Sequence, residues 1–136
     1  MSQNALSQIH ALLASRRYSV SDTGETGLSI KDVESGLTVY AQLEGEILFF
    51  SLACATVPES DVTPVAMAKM LDAGNGISTS HFQVQVAGPG EVTITLNNFC
   101  KLQEMGPDDE DDILSCVGYL LADAIHARTL LAADIL

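Results

Sequence analysis

Apolar and polar residues alternate along residues 37–57, a pattern that predicts two β-strands joined at Glu44-Gly45. If Leu43 pairs with Glu46 across a two-residue turn, the hairpin has one almost entirely apolar face, because successive side chains of a strand point to opposite faces. We interpret that face as the side that packs into the core. Its residues are Leu37, Val39, Ala41, Leu43, Leu48, Phe50 and Leu52.

The opposite face of the same hairpin carries Tyr40, Ile47 and Phe49 beside polar side chains. This surface is more apolar than one that contacts only water, so we expect another molecule to cover it. We predict that Tyr40, Ile47 and Phe49 bind a partner. The alternative is that the same face is the interface between two copies of this chain.

Three further segments precede or flank this hairpin. An apolar stripe over residues 4–16 predicts a helix, and Tyr18–Asp22 is either an edge strand or a connection. Alternation around Leu28 and Ile30 predicts a strand before the hairpin. Three consecutive antiparallel strands result.

A short helix is predicted over residues 63–73, with Thr63 as its cap and Pro64 in its first turn. Apolar residues surround most of this helix, so we expect it to be buried on two sides, one of them a subunit interface. The residues predicted at that dimer interface are Val65, Met67, Met70 and Leu71.

A second hairpin follows, with strands at residues 81–86 and 91–100. Pairing of Val86 with Val92 gives it one apolar and one polar face, and we expect the polar face to meet solvent. The last and longest predicted helix runs over residues 108–133. The polar face of the hairpin consists of Gln83, Gln85, Thr93 and Thr95.

The chain has 136 residues, a length that suits one domain, 1–136, with a single hydrophobic core. Its 18 acidic and 6 basic residues give a formal net charge of −12. This charge argues against nucleic acid as a partner, because phosphate contacts need clustered Lys and Arg. A protein partner with a basic or amphipathic segment would instead be attracted.

Two features of the sequence bear on location. It has no run of about eighteen uncharged apolar residues that could span a bilayer. Its N-terminal segment places Arg16 and Arg17 after the apolar turn, which is not the charge order of a secretory signal. We therefore expect a cytoplasmic protein without membrane insertion.

Candidate catalytic and metal-binding groups form no recognised motif. The chain has no CxxC pair among its three cysteines, Cys54, Cys100 and Cys116. This spacing favours reduced, buried thiols over a disulfide framework or a metal site. The chain has no GxSxG sequence, and we expect neither an enzyme nor a bound cofactor or metal. One alternative stays open, a small-ligand sensor or enzyme that uses Cys100, Cys116 or His81 as a reactive group.

Polar and small positions of the last helix have structural interpretations. Five carboxylates at residues 108–112 lack EF-hand spacing, and we expect the helix N-terminus to stabilise each by about 0.3–1 kcal/mol. A docking patch for a basic peptide is the alternative interpretation of this acidic run. Asp123 and His126 lie three residues apart and are expected to form a solvated pair on the helix surface. Gly118 predicts that another backbone approaches this helix closely.

The predicted order of elements, with the length and acidity of the chain, resembles the class I type III secretion chaperones and their relatives of the YbjN type. The similarity is most specific over residues 67–102. There, MAKMLDAGN resembles a family helix that ends in a leucine-rich LL-x-x-N pattern, and the next two strands end in LNNFCKL. The resemblance implies a small acidic homodimer without enzymatic activity. The secretion chaperones hold a partner's N-terminal segment in an extended form against apolar grooves.

The sequence therefore predicts an α+β fold of order α-βββ-α-ββ-α, with a twisted antiparallel sheet packed against helices. The predicted function is a non-enzymatic, homodimeric protein-binding module, similar to a type III secretion chaperone, that holds an extended segment of a partner. A YbjN-like regulatory or structural homodimer, whose apolar sheet face is only the subunit interface, is the alternative. A small-ligand sensor is the third interpretation.

Overall fold

The computed structural model, which describes residues 2–135, has an α+β architecture in the order α-ββββ-α-ββ-α. A single turn of 3-10 helix at Glu59–Asp61 precedes the second α-helix. The elements are α1 (Ser2–Ala14), β1 (Tyr18–Asp22), β2 (Gly27–Asp32), β3 (Thr38–Glu44), β4 (Ile47–Pro58), α2 (Pro64–Leu71), β5 (His81–Gly88), β6 (Glu91–Lys101) and α3 (Pro107–Ala132).

The strands form one antiparallel sheet of six strands in the order β1-β2-β3-β4-β6-β5. This confirms the predicted fold class. Tyr18–Asp22, which the sequence left open, is an edge strand, because the whole segment pairs with β2 while Tyr18 and Val20 pack against the core. Four strands rather than three therefore precede α2. The other edge of the sheet is β5, where Val84 and Val86 are exposed.

The turn of the β3–β4 hairpin corrects one predicted pairing. Leu43 pairs with Leu48 and not with Glu46, because Gly45 adopts a left-handed φ of 62° and places Gly45 and Glu46 in the turn. The correction shifts the register by two residues and leaves every side chain on its predicted face. The predicted core face is confirmed for residues that are at most 3% exposed: Val39, Ala41, Leu43, Leu48, Phe50 and Leu52.

The three helices pack on this one face of the sheet. Buried residues of α1 and α3 form the main core with β2, β3, β4 and β6. A smaller core cluster joins α2 and the end of α3 to β4 and β6, and it consists of Val57, Met70, Val92, Ile94 and Leu131. The result is a two-layer domain with helices on one side of the sheet.

A buried carboxylate of α3 fastens the segment that leads into β5. Asp123 is 2% exposed and accepts hydrogen bonds from the Ser78 and Ser80 hydroxyls, at 3.2 and 2.8 Å, and from the backbone N–H groups of Ser78 and Thr79. The prediction of a solvated pair with His126 is therefore wrong for Asp123. Four donors from one loop satisfy its carboxylate, which explains how a charged group is buried.

The acidic run at the start of α3 has two roles. Asp108, Asp109 and Glu110 lie in the first turn, where the helix N-terminus stabilises negative charge, as the sequence predicts. Asp109 is also 1% exposed and accepts a hydrogen bond of 2.6 Å from the Gln103 N–H. This bond ties the connection between β6 and α3 to the helix.

Two properties of α3 differ from the sequence-based expectations. A Cβ atom added at Gly118 would meet nothing within 4 Å, so no backbone in the described chain approaches this glycine.

By length and composition alone, α3 is long and apolar enough to cross a membrane, although the sequence showed no uncharged apolar run of that length. In this structure its buried stripe packs against β6 and β4.

Candidate partner-binding face

The side of the sheet opposite the helices is the candidate binding surface, and we call it the open face. Within residues 2–135, none of the three helices packs on this side. Strand alternation directs side chains of β3, β4, β6 and β5 toward it. The residues that define the open face are Tyr40, Gln42, Phe49, Ser51, His81, Gln83, Thr95, Asn97 and Phe99.

Three aromatic side chains form the apolar part of the open face. Tyr40 is 52% exposed, Phe49 is 42% exposed and Phe99 is 57% exposed. Phe49 and Phe99 are cross-strand partners whose ring centroids lie 6.1 Å apart at 44°, within the range of a favourable aromatic pair. Two neighbouring strands thus hold a preformed aromatic surface in place.

The open face is concave at its centre, where a groove of about 590 Å³ contains the three aromatic rings. Polar groups flank them. Gln42 donates a hydrogen bond to the Thr26 hydroxyl, and the Asn97 amide donates one of 2.8 Å to the Thr95 hydroxyl. The side chains of His81 and Gln83 lie 3.3 Å apart at the β5 side. An apolar floor with amide, hydroxyl and imidazole groups around it is the usual composition of a binding groove.

No Asp, Glu, Lys or Arg lines this groove, within the part of the chain that the structure describes. The formal net charge of −12 is therefore carried by other surfaces. A binding segment would contact uncharged groups in the groove itself. Any preference for a basic partner would arise from the surrounding field and not from ion pairs in the groove.

The predicted partner-binding residues divide into two groups. Tyr40 and Phe49 line the groove, whereas Ile47 is half-buried beside Glu44 and Lys101 and lies outside it. Phe99 lines the groove and was missed by sequence reasoning. Extending the alternation of Thr93 and Thr95 along the same strand would have placed Phe99 on this side.

The polar side of the β5–β6 hairpin is less exposed than predicted. The pairing of Val86 with Val92 is confirmed, and Gln83 and Gln85 are exposed as expected. Thr95, however, is only 4% exposed, because β6 lies between β4 and β5 and the short threonine is shielded by its neighbours on both strands.

The four residues of the predicted dimer interface on α2 include both exposed and buried side chains. Val65, Met67 and Leu71 are 60%, 41% and 82% exposed. Met70 is 6% exposed and packs in the smaller core cluster, so it contacts the chain's own sheet rather than a surface open to a second copy. Apolar residues all around a helix do not indicate which of them face the core.

The three cysteines are free thiols. Burial raises the pKa of the Cys54 thiol to about 11, although Arg128 and a backbone hydrogen bond at Leu96 oppose the shift. Cys100 and Cys116 lie beside each other at the end of β6 and on α3, and their pKa values move apart through their mutual hydrogen bond. No group of three or more His, Cys, Asp or Glu side chains in the described residues could hold a metal ion.

Comparison with known proteins bears on the fold. No protein-family model matches this chain, and no curated protein matches it. Among solved structures, YbjN from E. coli, described as a proposed transcription regulator, is 18% identical with a TM-score of 0.56. The similarity covers 88% of this chain and 91% of YbjN. It supports the YbjN part of the resemblance and not the type III secretion chaperone part. The chain therefore has a YbjN-like α+β fold.

Proposed function

We propose that this protein is a non-enzymatic binding module that holds an extended segment of a partner protein across the open face of its sheet. The observation that carries the proposal is the aromatic cluster of Tyr40, Phe49 and Phe99 on a sheet surface that none of the described helices covers. An exposed apolar surface bordered by polar groups is typical of a protein interaction site.

An extended segment suits the shape and chemistry of the groove. The aromatic rings supply apolar contact for alternate side chains of the bound segment, and Gln42, Gln83 and Asn97 offer amide groups to its backbone. Burial of a few hundred Å² at about 25 cal/mol/Å² gives several kcal/mol before the cost of ordering the segment is subtracted. The expected complex is reversible and weaker than micromolar, since a Kd of about 1 μM would need about 8 kcal/mol net.

The preferred partner carries an amphipathic segment with basic flanks. Its apolar residues would occupy the uncharged groove, and its flanks would be attracted by the acidic protein. This attraction raises the association rate more than it lowers the dissociation rate. Nucleic acid is not the proposed ligand, because the chain has 6 basic residues against 18 acidic ones.

A homodimer is part of this proposal, and α2 is the interface that leaves the open face free. Val65, Met67 and Leu71 form an exposed apolar surface on that helix, on the other side of the domain from the groove. The protein would act in the cytoplasm, where its three thiols stay reduced. A holding function of this kind is a chaperone or regulatory activity.

Site-specific photo-crosslinking tests the location of the partner. A benzoylphenylalanine residue is placed at Tyr40 and, as a matched control, at Tyr119, which is 49% exposed on α3. We expect crosslinking in cells to give one discrete partner from position 40 and none from position 119. Sequencing of the crosslinked peptide should show one continuous segment with alternating apolar residues.

The variant Phe49→Asp provides the functional control. It should abolish crosslinking from position 40 while leaving the far-UV circular dichroism unchanged, because a charge in the groove must be desolvated on binding. Ile125→Asp introduces the same charge at a 67% exposed position of α3 and should leave crosslinking intact. Crosslinks from position 40 only to a second copy of the chain would show that the open face is the subunit interface, and would overturn the proposal.

A further inference from the structure

The loop that joins α2 to β5 contains the dipeptide Asn75-Gly76. An asparagine that precedes glycine loses its side-chain amide readily, because glycine has no side chain to hinder attack of its backbone nitrogen on the asparagine. Asn75 is half-buried and Gly76 is exposed. The binding function proposed above assigns no role to this dipeptide.

The local fold requires both residues of the dipeptide. The Asn75 Oδ1 accepts a hydrogen bond of 2.9 Å from the Ile77 N–H, and its Nδ2 donates one of 2.7 Å to the Met70 carbonyl oxygen. The second bond satisfies a carbonyl group in the last turn of α2, where the helix itself offers no donor. Gly76 has a φ of 84°, a left-handed conformation that favours glycine. The structure therefore keeps a chemically labile pair in this loop.

The two hydrogen bonds of the Asn75 side chain also protect it. Loss of the amide requires the Gly76 nitrogen to bond to the Asn75 Cγ and the Nδ2 to leave. Departure of Nδ2 breaks its bond to Met70, and rotation of the side chain toward Gly76 breaks the bond from Ile77 to Oδ1. In the closed loop the reaction therefore costs two hydrogen bonds beyond its chemical barrier.

A buried carboxylate holds the next residues of the same loop. Asp123 accepts hydrogen bonds of 3.2 and 2.8 Å from the hydroxyls of Ser78 and Ser80. Opening of the loop must release these donors from a carboxylate that is 2% exposed. The open state is therefore a minor one, and the Asn75 amide reacts during the fraction of time that the loop spends open.

We propose that Asn75 is a site of spontaneous modification, at which opening of the loop between α2 and β5 allows the asparagine to convert to aspartate or isoaspartate. In the first step the Gly76 nitrogen loses its proton to a base in the solvent and attacks the Asn75 Cγ, and a C–N bond forms. The Cγ–Nδ2 bond then breaks, and Nδ2 takes up a proton from water and leaves as ammonia. The product is a cyclic succinimide.

In the second step water adds to one of the two carbonyl carbons of the succinimide, and the bond from that carbon to the ring nitrogen breaks. Cleavage at Cγ gives aspartate with the normal backbone. Cleavage at the main-chain carbonyl gives isoaspartate, whose backbone runs through Cγ and is one methylene longer. Overall, one water is consumed, one ammonia is released, and no oxidant or reductant takes part. Both products replace a neutral amide with a negative charge.

The conversion prevents the loop from closing as before. A carboxylate at position 75 cannot donate to the Met70 carbonyl oxygen, and it places negative charge at the C-terminal end of α2, where the helix dipole disfavours it. The Asp72 carboxylate, which accepts a hydrogen bond from the Gly74 N–H, adds a like charge nearby. In isoaspartate the extra methylene also displaces the Ile77 N–H. The modification thus records that the loop has opened and releases the end of α2.

The first experiment locates the modification. The native chain is incubated in mildly alkaline buffer, either folded or unfolded in guanidinium chloride, and is then digested with trypsin. Cleavage after Lys69 and Lys101 gives one peptide that contains Asn75 together with two control asparagines, Asn97 and Asn98. Mass spectrometry measures conversion, and enzymatic methylation identifies isoaspartate.

We expect conversion at Asn75 alone, at a rate at least about tenfold lower in the folded chain than in guanidinium chloride. Conversion of Asn97 or Asn98 at the rate of Asn75 would overturn the assignment of the site. Equal rates for the folded and unfolded chains would overturn its control by loop opening.

A variant of the buried carboxylate tests that control directly. Asp123→Ala frees the loop and should speed conversion of Asn75 in the folded chain at least about threefold, without changing the rate in guanidinium chloride. Ser80→Ala removes one of the donors and provides the same test if Asp123→Ala does not fold. Ile125→Asp, at an exposed position of α3, should leave both rates at their native values. A native rate in folded loop variants would contradict the proposal.

The last experiment tests the effect on α2. Modified chains carry one more negative charge, so anion exchange separates them from unmodified chains. Their amide hydrogen exchange over residues 64–77 should be at least about tenfold faster, with no change in β3. Asn75→Asp reproduces the charge without the extra methylene and should show part of the effect, while Gln85→Glu adds the same charge at an exposed position of β5 and should show none. Native exchange rates in the modified chain would show that α2 is not released.

Discussion

The two faces of the sheet carry similar apolar side chains but differ in how far these side chains are exposed to solvent. Phe49 and Phe50 are neighbours in β4, yet Phe49 is 42% exposed and Phe50 is 1% exposed. The difference is due to the helices, which cover only the face of Phe50. Hydrophobic residues on one face therefore stabilise the domain, while those on the other remain available to a second molecule.

The largest expected difference between the faces concerns these two phenylalanines. Phe50→Ala leaves a cavity in the main core and should lower the free energy of unfolding by about 3–5 kcal/mol. Phe49→Ala removes a ring that is already partly in water and should lower it by less than about 1 kcal/mol. Urea unfolding followed by circular dichroism measures both. Equal losses would mean that something covers the open face in solution.

The next difference concerns the stability contributed by polar side chains that hydrogen-bond to other segments on each face. Asp123→Ala removes the acceptor for Ser78, Thr79 and Ser80 and should lower the free energy of unfolding by about 1–3 kcal/mol. It should also speed amide hydrogen exchange in that loop. Asn97→Ala on the open face removes one hydrogen bond to Thr95 and should lower stability by only about 0.5–1.5 kcal/mol.

A smaller effect depends on pH and is confined to the helix-covered side. The pKa of Cys54 rises from 9.0 to about 11 on folding because of burial. Between these values the folded state binds more protons than the unfolded state, so the free energy of unfolding falls as pH increases. The slope stays below about 1.4 kcal/mol per pH unit, the limit for one proton. Cys54→Ala should lack this component, and urea unfolding at pH 8, 9 and 10 compares the two chains.

The smallest expected effect is on the solvent side of the helix layer. Gly118→Ala places a methyl group in open space and improves helix propensity, so it should raise the free energy of unfolding by about 0.5–1 kcal/mol. A loss of stability in Gly118→Ala would indicate a contact on α3 from outside the described chain.

The sequence predicted most of the fold because alternation is robust to errors of register. The β3–β4 turn is displaced by one residue from the prediction, and still Leu43 and Phe50 are core residues while Tyr40 and Phe49 face outward. A shift of two residues preserves every face. The pattern of Tyr18–Asp22 allowed either an edge strand or a connection, since a strand of five residues is defined by its pairing more than by its pattern.

What the sequence could not predict depends on contacts between distant segments. Asp123 was assigned to a surface pair with His126, its neighbour on the helix, while its partners lie in the loop before β5. Met70 was placed at a dimer interface because its helix is apolar nearly all around. Cys100 and Cys116 were separate thiols until the packing of α3 on β6 brought them together.

The edge strand β5 has a consequence for handling the protein. It carries exposed Val84 and Val86 and no Asp, Glu, Lys or Arg, so nothing in its own sequence opposes pairing with the edge of another molecule. Two molecules that each carry a net charge of −12 repel one another, and this repulsion opposes pairing of their β5 edges. High salt screens this repulsion, and acidification toward the pI near 4.2 removes the net charge that causes it. Colloidal stability should therefore fail near the pI while the fold is still intact, with β5 as the first point of contact.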